Sequence, residues 1–319
     1  MATRAAHIQR WGAALLSAAF LAACDIPAPV EPTLKPPVRP ATVAAPPPVV
    51  ARPTSQASAE LRSYFNQVQT AQLTQGLLRR DGGGVDTPFT ADMLAANFER
   101  IAFFNEYNGN FTSRGGASPL RRWSAPVRMQ VIYGASVPPS QRALDDAAIR
   151  KYAARLGRIT GHPVSVSGKP NFIVIIASED DRAQTLEDAA KRINGITPGS
   201  LRALRDLRRE TYCAVAAYAT GADANTYTAA VAVIRSENPD LLRLSCIHEE
   251  LAQGLGLAND SPAARPSIFN DDDEFALLTT HDELLLKMLY DKRLKVGLSA
   301  AEAAPVARII ARELTGGPL

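Results

Sequence analysis

Between Cys246 and Asn270 the chain reads C-I-H-E-E-L-A-Q-G-L-G-L-A-N-D-S-P-A-A-R-P-S-I-F-N, and this stretch carries the residues best placed to do chemistry. Glu249 and Gln253 stand four apart, so on a helix both leave one face, with Glu250 beside them and Asn259 past a glycine turn at Gly256. If the site turned over a substrate, Glu250 would be its acid or base. Glu249, Gln253, Asn259 and His248 would then bind the ligand, although a lone histidine near a helix start is more often structural. One carboxylate and two amides offer only oxygen, which disfavours zinc, and those three alone would hold calcium or magnesium weakly. We therefore expect neither a metal nor any other cofactor. Without a metal, water keeps a pKa near 15.7 instead of about 7, which removes the main source of rate in metal-assisted hydrolysis. Adjacent helix residues point about 100° apart, so Glu249 and Glu250 are not expected to flank one bond as a glycosidase pair would.

The elements that must position these groups follow from periodicity. Asn238 as N-cap, Pro239 at the first helical position and Leu241, Leu244, Ile247, Leu251 and Leu255 at helical spacing predict a helix that stops at Gly256. Upstream, helices are predicted over 58–78, from Thr90 as N-cap through Phe104, over 139–159 with Gly161 as the stop, and near 181–193 and 198–208. Strands are predicted over 127–137, 171–178, 213–218 and 227–234. The run Phe172-Ile173-Val174-Ile175-Ile176 is expected to be a central strand covered on both faces. Arg121-Arg122-Trp123 reads as a solvated arginine pair beside a half-buried tryptophan, and Asp271-Asp272-Asp273-Glu274 as a solvated loop, because it lacks the spacing and glycine of an EF-hand. Thr280-His281-Asp282-Glu283 has capping-box spacing, which makes His281 a surface residue of a first turn. Ser299 to Glu302 repeats the box before a last helix ending at Gly316, which Pro305 should kink or delay.

The N-terminus places the chain in the cell. Arg4 and Arg10 precede the apolar run from Trp11 to Ala23, too short for a comfortable membrane span, and Leu21-Ala22-Ala23-Cys24 resembles a bacterial lipobox. We read residues 1–23 as a lipoprotein signal peptide, Cys24 as the lipidated residue and 24–57 as a proline-rich disordered tether. Residues 58–319 form one globular domain, in which 58–120 are a helical N-terminal layer and 121–319 the sheet and its helices. The expected location is the periplasm, anchored to the inner or outer membrane. In that oxidising compartment Cys213 and Cys246, on a strand and on the helix that should pack near it, are expected to form a disulfide. The 35 basic and 32 acidic residues give no excess of charge that would favour nucleic acid. No G-x-S-x-G or phosphate-loop pattern occurs.

The register E-E-L-A-Q-G-L-G-L-A-N resembles the H-E-x-x-H-x-x-G-x-x-H motif of metzincin-type zinc metallopeptidases. Glu249, Gln253 and Asn259 stand at the three ligand positions, Glu250 at the general base and Gly256 at the glycine. Ser267-Ile268-Phe269-Asn270 resembles the Met-turn, with Phe269 in place of the methionine. The resemblance implies a degenerate, zincin-like α/β (α+β) domain with a mixed sheet, a central active-type helix and a C-terminal helical part. Through H-E-E-L-A-Q-G-L-G-L-A-N-D-S, R-P-S-I-F-N-D-D-D-E-F-A-L-L-T and L-L-L-K-M-L-Y-D the chain also resembles a family of proteobacterial lipoproteins called domain of unknown function 2927. The expected function is a non-catalytic cleft for a periplasmic peptide, glycan or protein partner. The alternative is a hydrolase using Glu249 and Glu250.

Overall fold

Six consecutive apolar residues that must all be covered can only sit in the middle of a sheet, and the computed structural model puts them there. It describes residues 54–106, 115–219, 223–270 and 272–316, so the signal peptide, Cys24 and nearly all of the tether lie outside the described residues. The central strand is β4 (Phe172–Ala177). In chain order the other elements are α1 (Gln56–Thr74), α2 (Ala91–Ala102), β1 (Arg122–Trp123), β2 (Val127–Tyr133), α3 (Pro139–Thr160), β3 (Val164–Val166), α4 (Arg182–Ala190), α5 (Pro198–Arg205), β5 (Cys213–Tyr218), β6 (Thr226–Tyr227), β7 (Ala229–Arg235), α6 (Asp240–Gln253), α7 (Thr280–Leu289) and α8 (Ala300–Thr315).

The five-stranded sheet runs β3-β2-β4-β7-β5. Its first four strands are parallel and β5 is antiparallel to β7, which makes β5 an edge strand with one side unpaired. The fold is therefore α+β with a mixed sheet. Phe172, Val174 and Ile176 of β4 point with Ala230, Ala232 and Ile234 of β7 into the larger core shared with α3, α6 and α7. Ile173, Ile175, Val231 and Val233 point the other way, toward Leu186 of α4 and Leu204 of α5. Alternation of side chains along a strand produces this division without further instruction. Helix α1 closes the start of α6, with Leu61 and Phe65 against Leu242.

Several local expectations are revised. Helix α6 is capped at Pro239, not Asn238, because the Asn238 amide is committed to the Tyr212 carbonyl at 3.1 Å. It ends at Gly254, two residues before the predicted stop. The capping box of α7 is Thr279 with Asp282, one residue earlier than the sequence pattern suggests, and His281 is fully buried instead of exposed. Its ring meets Phe89 edge-on and bonds the Asn97 amide at 3.2 Å, a partnership between elements far apart in sequence. Trp123 is fully buried, with its indole N–H donating to the Gly254 carbonyl at 2.8 Å. Helix α8 starts at Ser299's cap as predicted and includes Pro305 without a late start.

Candidate functional site

The unpaired edge of β5 and the last turn of α6 enclose an open cleft of about 580 Å³. Tyr212, Cys213, Ala214 and Val215 form one wall, and Glu249, Glu250 and Gln253 the other. The remaining lining comes from loops: Glu106, Arg208, Glu210, Thr211, Asp260, Ile268, Asn270 and Asp273. The disulfide between Cys213 and Cys246, predicted from the sequence, ties the walls together, with a Cα separation of 5.9 Å.

Local sequence explains how the floor is built. After α6 the chain turns sharply at Gly256, whose φ of 129° lies outside the range of ordinary side chains and where a Cβ would stand 2.4 Å from the Arg121 carbonyl oxygen. The turn brings Asp260 back to α6, where it accepts a hydrogen bond of 3.0 Å from the Gln253 amide. A second turn is pinned by Asp282, which accepts from the Ser267 hydroxyl at 2.6 Å and the Ile268 N–H at 3.0 Å. That turn buries Phe269 in the core and leaves Ile268 and Asn270 on the cleft. Asp273, with a φ of 55°, receives the Gln72 amide of α1.

Charge is the dominant property of the site. Among the described residues it is lined by six carboxyl groups and a single guanidinium, Arg208. Glu250 is only 4% exposed, and its Oε2 is buried without a hydrogen-bond partner. Burial first, and then Glu106 and Asp260, hold the Glu250 carboxyl well above the usual carboxylate range. Glu249 is raised too, by burial and then by Asp260, Glu250, Glu106 and Asp273. Carboxylate oxygens of Glu249 and Glu250 and the Cys213 sulfur all lie within 4.8 Å of one another. The expectation that neighbouring helix residues diverge is thus corrected: near the end of α6 the long glutamate side chains bring their oxygens toward one cavity. Burial and Asp273 also raise the nearby Tyr212 phenol, to about 12.

The residues singled out in the sequence do not all meet. Glu249, Glu250 and Gln253 line the cleft, whereas His248 and Asn259 do not. His248 accepts the Leu278 N–H on Nδ1 at 3.1 Å and stacks on Tyr152 with ring centroids 4.0 Å apart; burial pushes its pKa down to about 3. Asn259 donates to the Arg100 carbonyl at 2.9 Å, and Asp260 takes the place at the cleft that Asn259 was expected to hold. Asp260 and Asp273 were legible only as acids next to the motif. Glu106, Tyr212 and Glu210 carried no sequence signal, since they arrive from two connections far from the motif in sequence.

The fold and site define an α+β domain with an acid-lined cleft between an antiparallel edge strand and a buried helix. The family described as "Protein of unknown function (DUF2927)" matches residues 91–309, and the chain belongs to it. No curated protein matches the chain. No solved structure matches it either, so the resemblance to metal peptidases gains no support from comparison.

Proposed function

We propose that the protein is a membrane-anchored periplasmic lipoprotein, tethered through Cys24, whose acidic cleft binds a peptide, glycan or protein partner without cleaving it. The observation that carries the binding reading is the Glu250 Oε2 atom, buried beside an open cavity with no donor to satisfy it. A buried carboxylate oxygen left without a donor costs about 1–3 kcal/mol or more, and a ligand that supplies the donor recovers that cost on binding. The excess of carboxyls favours ligands rich in ammonium, amide or hydroxyl donors. Titrating the full chain with lysine-rich peptides and with neutral oligosaccharides tests this. We expect saturable binding that weakens in Glu250→Gln, and equal affinity in both proteins would count against the cleft. The lipoprotein reading rests on the sequence from Arg4 to Cys24, and Cys24→Ser is expected to leave an unprocessed precursor.

A hydrolase is the second reading, favoured by the approach of the Glu249 and Glu250 carboxyls to within 4.8 Å, near the roughly 5–5.5 Å of retaining glycosidases. Both groups rise from one helix on one wall, however, whereas that mechanism places its carboxyls on opposite sides of the scissile bond. Release of reducing ends from oligosaccharide, abolished by Glu250→Gln, would establish this reading over the first.

A further inference from the structure

Beyond ligand binding, we propose that the cleft holds a hard divalent cation of the calcium type, coordinated by the carboxylates of Glu249 and Glu250, with the Gln253 carbonyl and waters completing the shell and Asp260 adding negative charge close by. The inference rests on the cleft described above but not on any organic ligand. Oxygens around one calcium ion lie about 2.3–2.6 Å from it, so two of them can be at most about 5 Å apart. The Glu249 and Glu250 oxygens, within 4.8 Å of each other, meet that condition. The unpartnered Oε2 of Glu250, in a side chain 96% buried, is a second and separate sign of a missing positive group. Gln253 donates its amide N–H to Asp260, which leaves its carbonyl oxygen as the acceptor it can offer an ion.

The donor chemistry selects among metals. The Cys213 sulfur is close but belongs to the disulfide, so it offers no thiolate. His248 has committed Nδ1 to the Leu278 N–H, and no imidazole lines the cleft. An all-oxygen set disfavours zinc. The open cleft and irregular geometry suit calcium, which tolerates six to eight ligands including waters, better than magnesium, which demands a near-ideal octahedron. Glu274 of the neighbouring acidic loop is committed elsewhere, pairing with Arg265 at 2.6 Å and with Arg79 at 3.3 Å. Waters left on the ion would be exchangeable for oxygens of a glycan or peptide.

The test uses the full chain, stripped with chelator and titrated with calcium chloride, magnesium chloride or zinc chloride alone, followed by calorimetry and by thermal unfolding. We expect one calcium site in the range of extracellular modules, about 10⁻⁴–10⁻³ M. Calcium should raise the unfolding temperature, and Glu249→Gln and Glu250→Gln should each weaken binding at least tenfold, while Glu313→Gln on a distant surface pair leaves it unchanged. Both cleft variants are expected to fold, since each removes one acid from a cluster of acids; circular dichroism checks this. Terbium luminescence on the wild-type protein gives an independent reading, with emission displaced by calcium and diminished in Tyr212→Phe. No calcium binding at about 10 mM, binding unaffected by both glutamine variants, or preference for zinc would overturn the proposal. Peptide or glycan binding in a protein that takes up no calcium would leave the binding function standing while the cation site fell, and calcium binding without any organic ligand would do the reverse.

Discussion

Two clusters of buried charge, one at the junction of β7 with α6 and one at the far end of α6, follow opposite rules. At the end of β7, the Arg235 side chain, 1% exposed, bonds Glu179 at 2.6 Å and donates to the carbonyl oxygens of Thr211, Leu207 and Arg208. Arg182 meets the same glutamate at 2.7 Å and donates twice to the Arg205 carbonyl. Glu237 accepts from the Ser58 hydroxyl at 2.6 Å and the Glu179 N–H at 2.7 Å. At the end of α6, by contrast, Glu249 and Glu250 face further carboxyls and Glu250 keeps an oxygen without a partner. In the first cluster Glu179 matches both guanidiniums, and Glu237, although its Oε2 lacks a partner as that of Glu250 does, holds two donors on its other oxygen. Carboxyls that face one another beside a cavity cost stability and are better explained by something that binds there.

Breaking the matched cluster should have the largest effect. Glu179→Gln leaves two buried guanidiniums without their anion; because the Glu179 side chain is itself 35% exposed and partly screened by water, the expected destabilisation is about 2 kcal/mol, read as a lower urea midpoint. Burial pushes the Glu179 carboxyl up, but hydrogen bonds from Arg182 and Arg235 outweigh this and hold it below its ordinary value of 4.5. Its contribution is therefore complete above pH 4.5 and is lost as pH falls through the lower folded value. Acid unfolding of Glu179→Gln should lack that portion of the pH dependence, and an unchanged acid profile would mean the pairing is not what stabilises this end.

The same substitution at the unmatched cluster should act with the opposite sign. Glu250→Gln in metal-free protein removes a buried acid from a group of acids and is expected to stabilise by about 1 kcal/mol, because it trades repulsion for an amide that can donate to its neighbours. Thermal unfolding at neutral pH, with chelator present, measures it. A loss comparable to that of Glu179→Gln would erase the distinction between the two regions.

Asn259 offers the smallest and sharpest contrast. Asn259→Ala removes one exposed hydrogen bond to Arg100 and should cost about 0.5 kcal/mol without altering ligand or cation binding. Asp260→Asn should weaken binding with little change in stability. The reverse pattern would return Asn259 to the site.

What local sequence determined is what depends on nearest neighbours along the chain. The all-apolar strand at Phe172–Ala177, the Thr90 and Ser299 caps, the left-handed stops at Gly161 and Gly316, and the shared face of Glu249 and Gln253 each express a period or a cap written within a few residues. The cysteine pairing was legible because only two cysteines remain in the expected exported domain, on elements that had to pack together. The tertiary structure alone decided which polar groups meet. It buried His281 against α2, turned His248 to Leu278 and Asn259 to Arg100, and drew Glu106, Tyr212, Asp260 and Asp273 from three separate connections to the Glu249–Glu250 wall. Periodicity states which face of an element is buried. It carries no information about which loop, a hundred residues away, will close over that face, because that depends on strand order and on the turns at Gly256 and Phe269, whose geometry is set by what packs beneath them.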